Sequence, residues 1–160
     1  MDEIVPPTLT FKDRLTIGLG DAQVELLYTS NQTHTDDMSV IRFVDSGVIY
    51  IVDFISLQHV PGWPVGAGLL DAWLNAIRMV EVLDYDIVAP AHGVVGTRAD
   101  VTDIRHYVEE LRDQVASGIA AGLSVAEMQD TITMDRYRAW LRYENFHRRN
   151  IEGMNLMLTR

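Results

Sequence analysis

The spacing of apolar residues divides the chain into a strand-rich part, residues 8–55, and a helix-rich part, residues 68–158. In the first part, short apolar runs are separated by Gly, Asp and Ser, which is typical of strands joined by tight turns. Two of these links, Gly20-Asp21 and Asp45-Ser46-Gly47, predict antiparallel hairpins, because glycine adopts a positive φ at little cost. The predicted strands lie at 8–11, 15–19, 23–28, 38–44 and 48–54.

Apolar residues in the second part recur about every 3.6 residues, which predicts amphipathic helices. The first two helices follow from stripes at Leu69, Trp73, Ile77 and Val80 and at Val101, Ile104, Val108, Leu111, Val115 and Ile119. Gly122 is a stop signal for the second helix, and Ser124 with Glu127 forms a capping box that opens a third. Residues 135–158 predict two more helices, and the apolar run at 87–89 predicts a buried strand.

These elements predict one α/β unit, an α+β layered arrangement in which an antiparallel or mixed sheet is followed by helices. The 160 residues contain no internal repeat, low-complexity tract or linker. A chain of this length also suggests one domain, since domains commonly have about 100–200 residues. Residues 1–160 are therefore predicted to form a single unit.

Composition narrows the classes of partner. The formal net charge is −10, from 13 basic and 23 acidic residues, whereas nucleic-acid binding relies on clustered Lys and Arg. No apolar run reaches roughly 18 residues, the length that indicates a membrane helix, and the amino terminus carries no visible secretory signal. The absence of Cys excludes disulfides and thiolate metal ligands. We therefore expect a cytoplasmic protein that binds neither nucleic acid nor a membrane.

Five histidines are candidates for metal binding or proton transfer: His34, His59, His92, His106 and His147. No two of them are spaced as a chelate on one strand or one helical turn, so any metal site must gather its ligands from separate loops. Two of the five, His34 and His92, follow strand-like runs, and Asp53 ends another such run. Two imidazoles and a carboxylate form a ligand set suited to Zn²⁺ or Fe.

Each of these residues also has an ordinary structural interpretation: His34 as an exposed loop residue, Asp53 as the cap of the following turn, and His92 as a structural histidine. An unpaired carboxylate at the end of so apolar a run would be costly, which favours a partner for Asp53. Asp36 and Asp37 lie beside His34 and are candidates for orienting the metal ligands without binding the metal themselves.

Three motifs in this order resemble the carboxyl-terminal half of the metallo-β-lactamase superfamily: Thr33-His34-Thr35-Asp36-Asp37, Ile51-Val52-Asp53-Phe54 and Ala89-Pro90-Ala91-His92-Gly93. The resemblance covers about residues 8 to 120 and implies half of an αββα sandwich. It further implies that His34 completes a first metal site, that Asp53 bridges two metals, and that His92 binds the second. In that family one or two zinc ions, or Fe or Mn, activate a water nucleophile for hydrolysis.

The sequence also departs from that family. Val52 and Ala91 stand where a glycine usually precedes each ligand, and Thr33 stands where a small residue is common. The H-x-H-x-D-H motif, which supplies most remaining ligands and the proton-handling Asp, does not occur. We therefore expect at most one well-held ion from this chain alone, and weak or absent hydrolysis by it.

Half a sandwich would leave one apolar sheet face uncovered. Three explanations stay open: an amino-terminal half encoded elsewhere, pairing with a second copy, or a truncated product. Two functions follow from the sequence. One is a metal-dependent hydrolase acting on a small molecule of unidentified class; the other is a non-catalytic half-domain that assembles through this face, as a homo-oligomer or with a complementing amino-terminal half.

Two further groups of residues have competing interpretations. His59 and Trp63 lie in the loop after Asp53 and are candidates for contacting substrate, although a Pro- and Trp-packed surface loop is the simpler interpretation. Five arginines near the end of the chain suggest an anion site, but their alternation with aromatic residues favours a basic face over an aromatic core face. These arginines are Arg136, Arg138, Arg142, Arg148 and Arg149.

Overall fold

The computed structural model describes residues 5–29, 33–62 and 70–159. Its strands are β1 Arg14–Leu19, β2 Ala22–Tyr28, β3 Ser39–Phe43, β4 Val48–Ile51 and β5 Ile87–Pro90. Its α-helices are α1 Leu70–Glu81, α2 Arg98–Ala120, α3 Val125–Thr131 and α4 Tyr143–Leu158. Single 3-10 turns occur at Val44–Ser46 and Asp135–Tyr137. Within the described ranges, no helix combines the length and the apolar character needed to cross a membrane.

The five strands form one mixed sheet in the order β1-β2-β3-β4-β5. All neighbours are antiparallel except β4 and β5, which run parallel. Both predicted hairpins are present, and their glycines, Gly20 at φ 60° and Gly47 at φ 62°, adopt the left-handed conformation that the turns require. The prediction of an α/β unit with a mixed sheet is confirmed.

Two predicted elements differ from the structure. Residues 8–11 form no strand: among the described residues, the last backbone pairing along this edge is the bond from the Tyr28 N–H to the Asp13 carbonyl oxygen, and β2 ends at Tyr28. The segment 135–158 contains one helix rather than two. Met134, just before the segment, has a φ of 47°, and Arg142 has a φ of 65°. Neither conformation can continue an α-helix, so the first part forms only the 3-10 turn Asp135–Tyr137.

One face of the sheet packs against the helices. Side chains alternate across a strand, so the register places Leu27, Val40, Ile49, Ile51 and Val88 on the same face. These residues are buried in one apolar cluster with residues of all four helices, among them Ile77, Ile104, Met128 and Ile151. Burying one such aliphatic side chain contributes about 1.5–3 kcal/mol, so this layer dominates the stability of the fold.

The opposite face of the sheet, which we call the open face, is also apolar. Among its residues, Ile17 is 48% exposed and Phe43 is 41% exposed, whereas the five apolar residues named on the helix-covered face are at most 6% exposed. The open face comprises Leu15, Ile17, Val24, Leu26, Ile41, Phe43, Val48, Tyr50 and Ile87. A contiguous apolar surface of this kind is a feature of interaction sites.

His147 is a buried histidine on α4 with a structural role. Its Nε2 lies 2.8 Å from the Ile132 carbonyl oxygen, and its ring stacks on that of Tyr143 at 4.7 Å. Burial, and after it the positive charge of Arg148, lowers the pKa of His147 below its ordinary 6.5. The folded protein therefore disfavours the charged form of this imidazole.

This lowered pKa predicts a pH-dependent stability. Below about pH 6.5 the unfolded chain takes up a proton on His147 that the folded chain resists, so the free energy of unfolding falls as the pH is lowered. Urea unfolding of the wild type and of His147→Gln between about pH 7.5 and 5.5 measures this effect. We expect a shallower pH dependence in the variant; the same dependence in both proteins would assign the effect to other groups.

Candidate metal centre

The fold brings the three predicted ligands to one edge of the sheet. Because β4 and β5 run parallel, Asp53 and His92, which follow them, leave the sheet at the same edge. β3 runs antiparallel to β4, so the turn before β3, which contains His34, lies at this edge too. The carboxyl ends of parallel strands are the usual place for reactive groups in α/β proteins.

At this edge Asp53 lies between the two imidazoles. His92 Nε2 is 3.0 Å from Asp53 Oδ1, and His34 Nε2 is 3.8 Å from Asp53 Oδ2. The side chains of His34 and His92 are 61% and 59% exposed and that of Asp53 is 33% exposed, so all three are reachable from solvent. Each carboxylate oxygen thus faces a different histidine.

Asp53 occupies a strained turn. Its φ is 60°, and the Phe54 N–H donates to the Val52 carbonyl oxygen at 2.7 Å, which makes Asp53 the centre of a γ-turn. A non-glycine residue in such a conformation costs about 1–3 kcal/mol and is concentrated at functional sites. The Trp73 indole N–H donates to the Phe54 carbonyl oxygen at 2.6 Å and so ties the turn to α1.

Gly93 controls the position of His92. Its φ is 96°, and the Val94 N–H donates to the Leu57 carbonyl oxygen at 3.3 Å across a parallel bridge between Leu57 and Gly93. A Cβ at Gly93 would overlap the Leu57 carbonyl oxygen and lie 2.9 Å from the Leu57 nitrogen. Only glycine allows the two backbones to approach this closely, so the chain beyond His92 is fixed by Leu57.

The donor set of this edge fits a zinc ion in its chemistry. Two imidazole nitrogens and a carboxylate are established zinc ligands that leave a fourth position open. Ligand atoms at about 2 Å from a tetrahedral ion are roughly 3.3 Å from each other, and the two contacts of Asp53, at 3.0 and 3.8 Å, lie on either side of that separation. These residues are the ones that could hold the ion.

The side chains are nevertheless not arranged as a finished site. In the part of the chain that the structure describes, no group of three or more His, Asp or Glu residues is poised to hold a metal ion. Asp53 is instead engaged directly with the imidazoles, at hydrogen-bonding distance on the His92 side. Binding an ion here would therefore replace the direct contact between Asp53 and His92.

The other predicted site residues take different places. Asp37 accepts a hydrogen bond from the Thr35 hydroxyl, and the Asp36 carbonyl oxygen accepts one from the Tyr28 hydroxyl at 2.8 Å, so both aspartates help to shape the turn around His34. His59 is partly buried, and its Nδ1 has no hydrogen-bond partner within the described ranges. Burial, followed by the positive charge of Arg142, lowers the pKa of His59. Trp63 lies outside the described residues.

The segment around Leu141 borders the site, although the sequence pattern did not predict this position. The Leu141 N–H donates to the Gln58 carbonyl oxygen at 2.9 Å, and the Val60 N–H donates to the Leu141 carbonyl oxygen at 2.9 Å. Arg142, next along the chain, was predicted to belong to a basic helix face. In the sequence, only the cluster of arginines points to this segment. No local pattern shows that Leu141 pairs with Gln58 and Val60, because these residues are far apart along the chain.

No protein-family model and no curated protein matches the sequence, but solved structures match the fold. The chain is similar to a stereoselective inverting sec-alkylsulfatase from Pseudomonas sp., with a TM-score of 0.69 and 16% identity over 94% of this chain and 26% of that one. It is similar to a metallo-β-lactamase family protein from Thermus thermophilus, with a TM-score of 0.63 and 11% identity over 93% of this chain and 48% of that one.

A third similar structure is a metallo-β-lactamase from Pontibacter korlensis, with a TM-score of 0.56 and 20% identity over 64% of this chain and 49% of that one. The identities are low, so the likeness is one of fold. The chain spans between 26% and 49% of the length of these three structures.

Proposed function

We propose that this chain, which has part of the metallo-β-lactamase fold, carries one side of the metal site of a metal-dependent hydrolase. The observation that supports this proposal is the convergence of His34, Asp53 and His92, three residues from separate loops, at one edge of the sheet. The similarity of the fold to metallo-β-lactamase proteins agrees with it. The ion we propose is zinc, with Fe or Mn as the alternatives.

When bound, such an ion lowers the pKa of a water molecule from 15.7 to about 7, which supplies a nucleophile at neutral pH. The residues of this chain would position it. His34 and His92 would offer Nε2 lone pairs to the ion, and Asp53 would supply a negative charge that offsets the cation. The γ-turn at Asp53 and the Gly93–Leu57 contact fix two of the three side chains relative to the sheet.

Metal-dependent hydrolysis is tested with the full chain and a panel of substrates. Because one similar structure is a sec-alkylsulfatase and two are metallo-β-lactamase proteins, the panel includes a sulfate ester and a lactam beside a thioester and a phosphodiester. We expect slow hydrolysis that chelation abolishes, that zinc restores, and that Asp53→Asn lowers by roughly a hundredfold or more. Hydrolysis that persists both after chelation and in Asp53→Asn would contradict the proposal.

The open face favours a second candidate function, assembly through the sheet. Nine apolar side chains form this face on five adjacent strands, and a sheet in a folded domain normally has its apolar faces covered by another layer. We propose that a second sheet covers it, supplied by another copy of the chain or by a complementing amino-terminal half. Absence of any hydrolysis in the assay above would favour this function over the first.

The assembly proposal is tested by measuring the mass of the chain in solution by sedimentation velocity. If a second copy covers the open face, we expect a dimer that Phe43→Glu converts to monomer, because a charge would be buried in the interface. Leu123→Glu is the matched control, since Leu123 is 38% exposed and Phe43 is 41% exposed, but Leu123 lies between α2 and α3. A wild-type chain that stays monomeric would exclude the second copy and leave the complementing half as the partner.

A further inference from the structure

Two arginines, Arg142 just before α4 and Arg149 within it, face an aromatic ring instead of a carboxylate. The guanidinium carbons of Arg142 and Arg149 lie 5.7 and 5.6 Å from the centre of the Phe146 ring. Within the described ranges neither forms an ion pair, whereas most other arginines do. The paired ones are Arg14, Arg42, Arg78, Arg105, Arg112, Arg136, Arg138 and Arg148. In a chain of net charge −10, two neighbouring arginines without carboxylate partners form an unusual cationic spot.

This pair is held against the loop that follows the candidate ligand Asp53. A Cβ at Gly62 would lie 3.3 Å from the Phe146 ring, so the ring packs directly on the loop. The Asn150 side-chain amide donates to the Pro61 carbonyl oxygen at 2.9 Å and fixes the next turn of α4 to the same loop. The start of α4 is therefore attached to the loop by side-chain packing and by a hydrogen bond.

The same loop contacts the chain beside His92. Leu57 bridges to Gly93, and two residues later the chain bridges to Leu141, so three backbone segments lie side by side. Adjacent segments in such an arrangement are about 4.8 Å apart, which places the backbone of Arg142 roughly 10 Å from that of Gly93. An extended arginine side chain covers much of this distance.

The backbone of Arg142 is strained, and the hydrogen bonds of the preceding residue help to hold it in this conformation. Its φ is 65°, an uncommon conformation for a long side chain and one that costs about 1–3 kcal/mol. The two hydrogen bonds of Leu141 with Gln58 and Val60 fix the residue just before it. Arg142 also lies near enough to His59 for its charge to lower the pKa of that histidine, after the larger effect of burial.

We propose that Arg142 and Arg149, four residues before and three residues after Phe146, bind an oxyanion group of the substrate next to the metal centre. Arginine is suited to this task because its planar guanidinium donates two parallel hydrogen bonds to a carboxylate, sulfate or phosphate. The role of this group as part of a substrate rests on the proposed hydrolase function; the binding of the anion does not.

The test is an NMR titration of the full, chelator-treated chain with sodium sulfate and, separately, with sodium acetate, each compared with sodium chloride at equal ionic strength. We expect saturable shifts of the Arg142 and Arg149 side-chain N–H signals and of the Val60 and Leu141 amides. Arg142→Gln and Arg149→Gln are each expected to weaken binding roughly tenfold or more. Sulfate and acetate arms distinguish a tetrahedral oxyanion from a carboxylate.

Arg112→Gln is the matched control, because it removes the same charge from an arginine on α2 that pairs with Asp113. Anion binding that is unsaturable, or that Arg112→Gln weakens as much as Arg142→Gln does, would overturn the inference. If Arg142→Gln fails to fold, Arg149→Gln decides the question, since Arg149 is an exposed residue inside α4. Zinc binding is measured on the same proteins. A wild-type chain that binds the anion but no zinc would refute the hydrolase alone. A wild-type chain that binds zinc but no anion would refute this inference alone.

Discussion

Replacing Gly93 with alanine is expected to destabilise the protein severely, by roughly 3–5 kcal/mol. The alanine Cβ would overlap the Leu57 carbonyl oxygen and lie 2.9 Å from the Leu57 nitrogen, and backbone atoms cannot move aside as a flexible side chain can. The φ of 96° adds the conformational cost that a side chain incurs in this region. Either the Leu57–Gly93 bridge separates or the chain beyond His92 shifts, and both outcomes move a proposed metal ligand.

Gly20→Ala is the matched control for this prediction. Gly20 also has a positive φ, 60°, but a Cβ there would meet nothing within 4 Å. Its cost should therefore be the conformational one alone, about 1–2 kcal/mol. Urea unfolding of the wild type and of the two variants measures the difference. Equal losses of stability in Gly93→Ala and Gly20→Ala would show that the close approach to Leu57 contributes nothing.

His34→Ala, His92→Ala and Asp53→Asn are each expected to remove most zinc binding. Three ligands are the fewest that hold zinc well with one position open, so loss of any one leaves an incomplete set. The loss of affinity should exceed the roughly 10–100-fold effect of removing an outer hydrogen-bond partner. Zinc titration by calorimetry measures it.

His106→Ala is the control for these substitutions, because it removes a histidine that belongs to α2 and not to the loops that carry the candidate ligands. Far-ultraviolet circular dichroism of every variant separates loss of ligand from loss of fold. Unchanged zinc affinity in His34→Ala or in His92→Ala would favour the assembly function over the hydrolase.

The turns, caps and main helices could be predicted because each depends on residues close in sequence. Gly20 and Gly47 identify the two hairpins, and Ser124 with Glu127 forms the predicted capping box, in which each side chain bonds the backbone of the other residue. The closeness of His34, Asp53 and His92 could be predicted as well, because each follows an apolar run and the order of the motifs resembles that of a known family. The resemblance to half of a sandwich also predicted the apolar open face.

Features that depend on contacts between distant segments could not be predicted. The strand predicted at 8–11 has the right alternation but pairs with no strand among the residues that the structure describes, and pairing decides whether a strand forms. The position of Arg142 beside the candidate site depends on the hydrogen bonds of Leu141 with Gln58 and Val60, which no local pattern encodes. The strained φ of Asp53 likewise follows from the γ-turn and its tie to Trp73, not from the residue type.

Native mass spectrometry of the purified chain, loaded with zinc and freed of weakly held ions, tests the central claim most directly. If His34, Asp53 and His92 together form a metal site, each chain should carry one zinc ion at stoichiometric loading, since three side chains suffice for one ion and not for two. The same spectrum gives the number of chains in the assembly. A chain that retains no zinc, or one that holds two ions with ligands of its own, would contradict the account.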